Sequence, residues 1–201
     1  MGIRVGALLV ATLAVVATPT FAQTTGSFKI GVNFGKTVFV DDGEEFKTDL
    51  KPGLVVGAGV DVPIAEMFSF APEVLYSMKG GKGGDFGSDD IKLEVGQVQI
   101  PLLFKAKFAP MDAGARPFVS FGPAVGFTTS AKFKVEGFDD EDIKDEVETV
   151  DFSGVIGAGV EFGRGIVEYR YDHGFRDLDK DSASEAKPRT HSILFGFSFG
   201  G

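Results

Sequence analysis

The residue types that most often carry out chemistry are scarce in this chain. The 201-residue sequence contains no cysteine and only two histidines, His173 and His191. A thiol nucleophile, a thiolate metal site and a disulfide framework are therefore excluded, and a metal site built from histidines alone is not expected. The composition predicts neither a cofactor nor a bound metal ion.

The one combination that suggests catalysis is His191 followed by Ser192, which could belong to a hydrolase that modifies lipids. Neighbouring residues on a β-strand point to opposite faces of the sheet. The two side chains therefore cannot form a nucleophile and its base by themselves, and the geometry that activates a serine is missing. The sequence predicts no catalytic residue.

Two acidic segments carry enough carboxylates to suggest calcium binding. The segment "GFDDEDIKDEVE" lacks the glycine and the final glutamate spacing of an EF-hand loop. In "DLDKDSASE", aspartates alternate from Asp177 to Asp181, but Ser182 stands where the glycine would be and Pro188 where the glutamate would be. Both segments are predicted to be solvated loops, with loose divalent-cation bridging to lipopolysaccharide as the functional alternative.

The N-terminus predicts export. Arg4 precedes an apolar run from Val5 to Ala17, and Thr20-Phe21-Ala22 fits a small-x-small cleavage site. Residues 1–22 are therefore expected to be a signal peptide. A membrane anchor is the alternative, but the apolar run is short for a bilayer span and no positively charged stop-transfer segment follows it. Residues 23–201 are expected to form one domain.

The charge of the chain limits its partners. The formal net charge is −9 and the pI is near 4.7. A nucleic-acid partner is not expected, because proteins bind the phosphates of nucleic acids with clustered basic side chains. No long apolar run follows Gln23. If the mature chain spans a membrane, it must therefore do so as a closed barrel, in which every backbone polar group is hydrogen-bonded.

The elements that position these residues are strands with alternating faces. In the closing stretch "HSILFGFSFGG", large apolar groups occupy every second position, and Ser192, Leu194, Gly196 and Ser198 fall between them. A narrow membrane barrel has apolar groups facing lipid and small or polar groups facing its lumen. The residues predicted to face lipid are Ile193, Phe195, Phe197 and Phe199.

Eight such segments follow one another, each long enough for the roughly 9–11 residues of a tilted transmembrane strand. Their connections alternate between short ("PIAEM", "APMDAGAR", "GRG") and long ("DDGEEFKTD", "GGKGGDFGSDD", "KVEGFDDEDIKDEVE", "GFRDLDKDSASEAKP"). This asymmetry is typical of outer-membrane barrels, with short periplasmic turns and long extracellular loops. The predicted fold is an all-β, eight-stranded, antiparallel, up-and-down transmembrane barrel. Within it, Pro123 lies in mid-strand and predicts a local bulge.

Several charged side chains fall on the predicted inner face. The interior of an eight-stranded barrel is just filled by side chains, so residues on opposite walls can meet. Buried charges are expected to pair or to be hydrogen-bonded. The sequence therefore predicts a salt-bridged plug, and a proton or ion path or a catalytic pair is the functional alternative. The predicted lumen network consists of Glu73, Lys105, Glu168 and Arg170.

Several segments, in order, resemble the PorT-like outer-membrane β-barrel family of small porin-type proteins. They include "PEVLYSMKG", "IPLLFK" and "GPAVG", which are the most specific, and the weaker "GAGVEFG". The resemblance covers almost the whole mature chain and implies a location and a fold, without catalytic residues to carry over. The C-terminus departs from the usual pattern of such barrels, because Phe199 is followed by Gly200 and Gly201 instead of ending the chain.

The sequence is compatible with four functions. The leading one is a non-enzymatic outer-membrane barrel of a Gram-negative cell, with a structural or interaction role. Its expected partners are outer-membrane lipid, lipopolysaccharide and the outer-membrane assembly machinery, and the barrel is expected to be a monomer. The alternatives are a narrow porin-type channel for small solutes, a barrel enzyme acting on lipid, and a soluble secreted barrel that binds a lipophilic ligand.

Overall fold

The structure is a computed structural model, and it describes residues 24–41, 44–47, 49–82, 91–111, 114–135, 141–142, 150–175 and 185–200. The predicted signal peptide lies outside these residues, as do most of the two acidic segments. No helix among the described residues is both long enough and apolar enough to cross a membrane.

The described residues form ten β-strands. They are β1 (Thr25–Asp41), β2 (Glu44–Lys47), β3 (Asp49–Pro63), β4 (Phe68–Lys82), β5 (Ile91–Lys107), β6 (Ala115–Val135), β7 (Glu141–Asp142), β8 (Val150–Phe162), β9 (Gly165–Gly174) and β10 (Glu185–Phe199). Eight of them are long, and each pairs antiparallel with its neighbour along the chain. The short strands β2 and β7 pair with the ends of β1 and β6.

The sheet closes on itself because β1 also pairs with β10. This register runs from Gly26↔Phe199 to Val40↔Glu185. Closure removes both sheet edges, which would otherwise leave unpaired backbone groups. The predicted eight-stranded antiparallel barrel is thus confirmed.

The connections at the two rims differ as predicted. At one rim the turns are short, and β8 and β9 are joined by Gly163 and Arg164 alone, where the φ of 55° at Gly163 suits a residue without a side chain. At the other rim the strands continue beyond the predicted segments. For example, β6 runs over 21 residues as far as Val135. About 9–11 residues are enough to cross a bilayer, so these strands are longer than a crossing requires.

Burial alternates along the strands, with the apolar residues on the exposed side. In β8 the side chains of Phe152 and Ile156 point outward, and Ile156 is 64% exposed, whereas Asp151, Ser153 and Val155 are buried inside. This is the reverse of a water-soluble protein, in which large apolar side chains are buried. A continuous apolar exterior around a polar interior is the pattern of a barrel whose solvent is lipid.

The predicted bulge at Pro123 is wrong. The β6–β8 register passes through Pro123↔Gly154 without a shift, and the β5–β6 register is the same on both sides of the proline. The extra residue of β6 is instead Thr129, which lies between the residues that pair with Gly96 and Gln97. A proline removes one N–H from the ladder but adds no residue, so it does not by itself require a bulge.

Candidate functional site

Four charged side chains meet in the middle of the lumen, and we call them the central tetrad: Lys29, Glu73, Glu168 and Arg170. Lys29 Nζ lies 2.6 Å from Glu73 Oε1 and 2.7 Å from Glu168 Oε2. Arg170 Nη1 lies 2.8 Å from Glu73 Oε2, and its Nη2 lies 2.8 Å from Glu168 Oε1. Each cation thus contacts both carboxylates, and the tetrad is electrically balanced.

The tetrad is shielded from water, and small residues on neighbouring strands make room for it. Glu168 is only 1% exposed and accepts a further hydrogen bond from Ser120 Oγ at 3.3 Å. A Cβ on Gly157 would lie 2.8 Å from Glu168 Oε1, and one on Gly59 would lie 2.7 Å from Glu73 Cγ. The Gly-rich inner face therefore leaves the volume that the paired side chains fill.

A second group of charges, the rim cluster, lies near the short turns and consists of Asp61, Lys105, Lys107 and Glu161. Lys105 Nζ is 2.9 Å from Asp61 Oδ2 and 3.2 Å from Glu161 Oε1. Lys107 Nζ is 3.0 Å from Asp61 Oδ2 and 3.5 Å from Glu161 Oε2. Asp61 and Lys107 also line a 430 Å³ pocket at this rim.

The structure therefore divides the predicted network. It brings Glu73, Glu168 and Arg170 together but places Lys105 in the rim cluster, because Lys105 lies opposite Ser69 of β4, four residues before Glu73. Sequence reasoning omitted Lys29 from the network. The alternation of faces could have identified Lys29, because it stands between the outward residues Phe28 and Ile30 and therefore falls on the inner face.

Polar side chains fill the lumen towards the long-loop rim. Gln99 Nε2 donates to Asp172 Oδ2 and, at 3.3 Å, to Ser153 Oγ. Gln97 Nε2 donates to Asp151 Oδ2 at 3.4 Å, and Lys79 Nζ lies 3.6 Å from Asp172 Oδ2. These contacts connect β4, β5, β8 and β9 across the barrel.

Apolar side chains also enter the lumen. Two clusters of buried residues project from the inner faces of the strands, the first made of Ala71, Leu103, Ala124 and Val155 and the second of Val55, Leu75 and Leu194. Leu103 and Leu194 are each 1% exposed. Together with the central tetrad, these clusters form a packed interior of the kind that eight strands can enclose.

The four residues predicted to face lipid all point outward. Ile193, Phe195 and Phe197 are exposed on β10, and Phe195 is 56% exposed. Phe199, the last residue of the strand, packs against Phe28 of β1 with their ring centroids 5.1 Å apart. The aromatic ring at the end of β10 therefore lies on the seam that closes the barrel.

His191 and Ser192 lie on opposite sides of the barrel wall. Ser192 is 8% exposed on the inner face, whereas His191 Nδ1 lies 2.6 Å from the Tyr169 hydroxyl on the outer face. His173 Nδ1 lies 3.1 Å from the Tyr171 hydroxyl. Both imidazoles thus bond to phenols. Among the described residues, no group of three or more histidine, aspartate or glutamate side chains could hold a metal ion.

Comparisons with known proteins give one family match and several similar solved structures. Residues 21–180 match the family described as outer membrane protein beta-barrel domain. Neisserial surface protein A is 11% identical with a TM-score of 0.50, and the match covers 86% of this chain and 97% of that one. Ail of Yersinia pestis is 16% identical with a TM-score of 0.46, with coverage of 87% and 98%. The outer membrane enzyme PagL is 14% identical with a TM-score of 0.47, with coverage of 82% and 98%. No curated protein sequence gives a significant match.

Proposed function

The chain belongs to the outer membrane protein beta-barrel domain family, and we propose that this protein is a non-enzymatic barrel of the outer membrane with a structural or interaction role. Its long loops face the outside of the cell and its short turns face the periplasm. Export by the predicted signal peptide and insertion by the outer-membrane assembly machinery are part of the proposal. The PorT-like assignment, supported by the motifs quoted above, is a finer proposal within the same family.

The filled lumen is the observation that carries this proposal. A conducting barrel needs a continuous aqueous path, whereas the central tetrad and the two apolar clusters occupy the middle of this one. Removing either cation of the tetrad would leave a carboxylate buried without a full set of partners, which is costly. The side chains of the lumen are therefore best explained as a plug that stabilises the barrel.

The histidine contacts argue for a protein without hydrolase activity. A serine hydrolase needs its nucleophile within hydrogen-bond reach of a base. Here the only serine adjacent to a histidine in sequence, Ser192, points into the lumen, while His191 bonds to Tyr169 on the outside. The barrel wall therefore separates the one nucleophile and base that the sequence suggested for a lipid-modifying hydrolase.

Ion conductance in planar bilayers tests the proposal. The purified full-length mature barrel, shown to be folded, is expected to give no stepwise current. Leu194→Gly shortens a side chain that fills the lumen, and its neighbour Ile193→Gly shortens one that faces outward, so they form a matched pair. We expect current events to become more frequent with Leu194→Gly but not with Ile193→Gly. Regular steps in the unmodified protein would overturn the proposal in favour of a narrow channel for small solutes.

A further inference from the structure

Aromatic and cationic side chains gather on the outer wall of β9 and β10, near the long-loop rim. We call this group the outer patch, and it consists of Tyr169, Tyr171, His173, Arg189 and His191. The rings of Tyr171 and His191 are 5.0 Å apart between centroids, and those of Tyr171 and His173 are 6.1 Å apart. Both histidines of the chain belong to this patch.

The strand register arranges the outer patch in rows. His173 pairs with Arg189, and one row below, Tyr171 pairs with His191. A third row pairs Tyr169 with the apolar Ile193. The register continues onto β1, where the partners of Arg189 and His191 are Lys36 and Phe34. The wall therefore changes from apolar to aromatic to cationic as it approaches the long-loop rim.

The cationic row lies at the height of the lipid headgroups. Arg189 is ten residues from Phe199, which ends β10 at the short-turn rim. At about 3.3 Å per residue and a strand tilt of about 40°, this separation corresponds to about 25 Å along the barrel axis. The apolar band of an outer-membrane barrel has about this height. Arg189 thus lies where the hydrocarbon ends and the phosphates of the outer leaflet begin.

Arg189 lies on the outer face of β10, on the same side as His191 and Ile193. Among the cations in the strands whose side chains the structure describes, the others lie on inner-face positions or at the short-turn rim: Lys29, Lys79, Lys105, Lys107, Arg116 and Arg170. Among the side chains that the structure describes, no carboxylate forms an ion pair with Arg189, and the Nε of Arg189 is buried without a hydrogen-bond partner. In a chain with a net charge of −9, an outward arginine that has no ion pair among the described side chains points to an anionic ligand.

The two histidines add donors to the same place. Each Nδ1 lies within hydrogen-bond distance of a tyrosine hydroxyl. In the tautomer in which Nδ1 accepts from the hydroxyl, the proton of the neutral imidazole is on Nε2. In this tautomer His173 and His191 can both donate to an anion. At the other end of the patch, the exposed Ile193 and Phe195 provide an apolar surface for acyl chains.

We propose that the outer patch is a binding site for a phosphorylated glycolipid of the outer leaflet. A lipid phosphate lies against Arg189, His173 and His191, a sugar ring packs on Tyr171, and the acyl chains follow Ile193 and Phe195 towards the middle of the membrane. Arg189 supplies the strongest contact, because a guanidinium can donate two parallel hydrogen bonds to one phosphate. This site does not depend on whether the lumen conducts, so its failure and that of the proposed function are distinguishable.

Selective labelling makes the site measurable. The two histidines are the only ones in the mature chain and both lie in the outer patch, so their NMR signals report on it directly. The folded mature barrel, labelled at histidine with ¹⁵N in detergent micelles, is titrated with bisphosphorylated lipid A. We expect saturable shifts of the imidazole signals. Lipid A with both phosphates removed should bind at least about tenfold more weakly, the loss expected for one charge-assisted hydrogen bond.

Two substitutions of Arg189 test whether this side chain binds the lipid phosphate. Arg189→Gln should weaken lipid A binding by about tenfold or more, and Arg189→Lys should retain part of the affinity. Arg164→Gln removes the same charge from the turn at the opposite rim and should leave the affinity unchanged. Heat-modifiability of each variant on a gel shows that it is folded.

Three results would overturn the site. The first is binding that is unaffected by Arg189→Gln in a folded barrel. The second is equal affinity for lipid A with and without its phosphates, which would mean that only the apolar wall binds. The third is an equal response to inorganic phosphate in the absence of lipid, which would mean that the patch binds a free anion and not a lipid.

Discussion

At the scale of single residues, the central tetrad is a balanced set of charges whose members depend on one another. Loss of either Lys29 or Glu73 alone leaves one excess charge in a site that water does not reach. Removing one partner of a buried ion pair typically costs about 3–5 kcal/mol, because the other charge is left uncompensated. Removing one cation and one anion together restores the charge balance of the tetrad. The losses in free energy of unfolding caused by the two substitutions should therefore not add.

A double-mutant cycle tests this dependence. Lys29→Met and Glu73→Gln are each expected to lower the free energy of unfolding by about 3–5 kcal/mol. The double variant should lose less than the sum of the two, by at least about 1 kcal/mol. The measurement is urea-induced unfolding of the barrel in lipid vesicles.

A control for this cycle pairs Lys29→Met with Glu161→Gln. Glu161 belongs to the rim cluster and contacts Lys105 and Lys107. The effects of these two substitutions should therefore add within about 0.5 kcal/mol. Additive losses for the Lys29 and Glu73 pair as well would show that the tetrad does not act as one charge-balanced unit.

At the scale of an element, β10 both closes the barrel and presents its final aromatic residue. Phe199 pairs with Gly26 in the register, and a Cβ on Gly26 would lie 2.4 Å from the Phe199 ring. The glycine therefore leaves the space in which the ring lies across the seam. Phe199, the last aromatic residue of the sequence, therefore contacts the first long strand across the seam.

Assembly experiments follow from this arrangement. Phe199→Ala should lower the yield of folded barrel in the outer membrane, because the substitution removes both the terminal aromatic and its contact with Phe28. Deleting Gly200 and Gly201 should leave the yield unchanged or raise it. The folded fraction is read from unboiled gels of membrane fractions. Ile193→Ala, another outward apolar truncation on β10, is the matched control and should have a smaller effect.

An equal yield for Phe199→Ala and Ile193→Ala would show that the end of β10 has no special part in assembly. If instead deletion of the two glycines lowered the yield, the signal would include the residues after Phe199. Either result concerns the seam alone, because neither change alters the central tetrad or the filling of the lumen.

At the scale of the whole molecule, closure and the apolar exterior determine how the protein behaves in detergent. The pairing of β1 with β10 leaves no free sheet edge among the eight long strands. The folded mature protein should therefore resist dodecyl sulfate at room temperature, and boiling should shift its band on a gel. The shifting band should be found in the outer-membrane fraction.

The opposite result would be equally informative. A mature chain found in the soluble periplasmic fraction, with no band shift, would mean that the exposed phenylalanines do not face lipid. The soluble barrel for a lipophilic ligand would then be the better hypothesis. The number and position of outward aromatic residues make this outcome unexpected, since a protein in water buries such side chains.

The sequence by itself determined the number of long strands, the direction of their faces and the sorting of short and long connections. These features depend on a period of two and on turn residues, both of which are local properties of a chain. The same local rule placed Lys29, Glu73 and Arg170 on the inner face and Ile193 and Phe195 on the outer one. It also placed His191 and Ser192 on opposite faces.

Only the tertiary structure decided which inner and outer residues meet. Partners in a closed barrel depend on the stagger between strands and on which residues face each other across the lumen, and neither is encoded in the spacing along one strand. For this reason Lys29 contacts Glu73 and Glu168, whereas Lys105 contacts Asp61 and Glu161 instead of the predicted network. The same stagger aligned His173 with Arg189, sixteen residues apart, and so produced the outer patch.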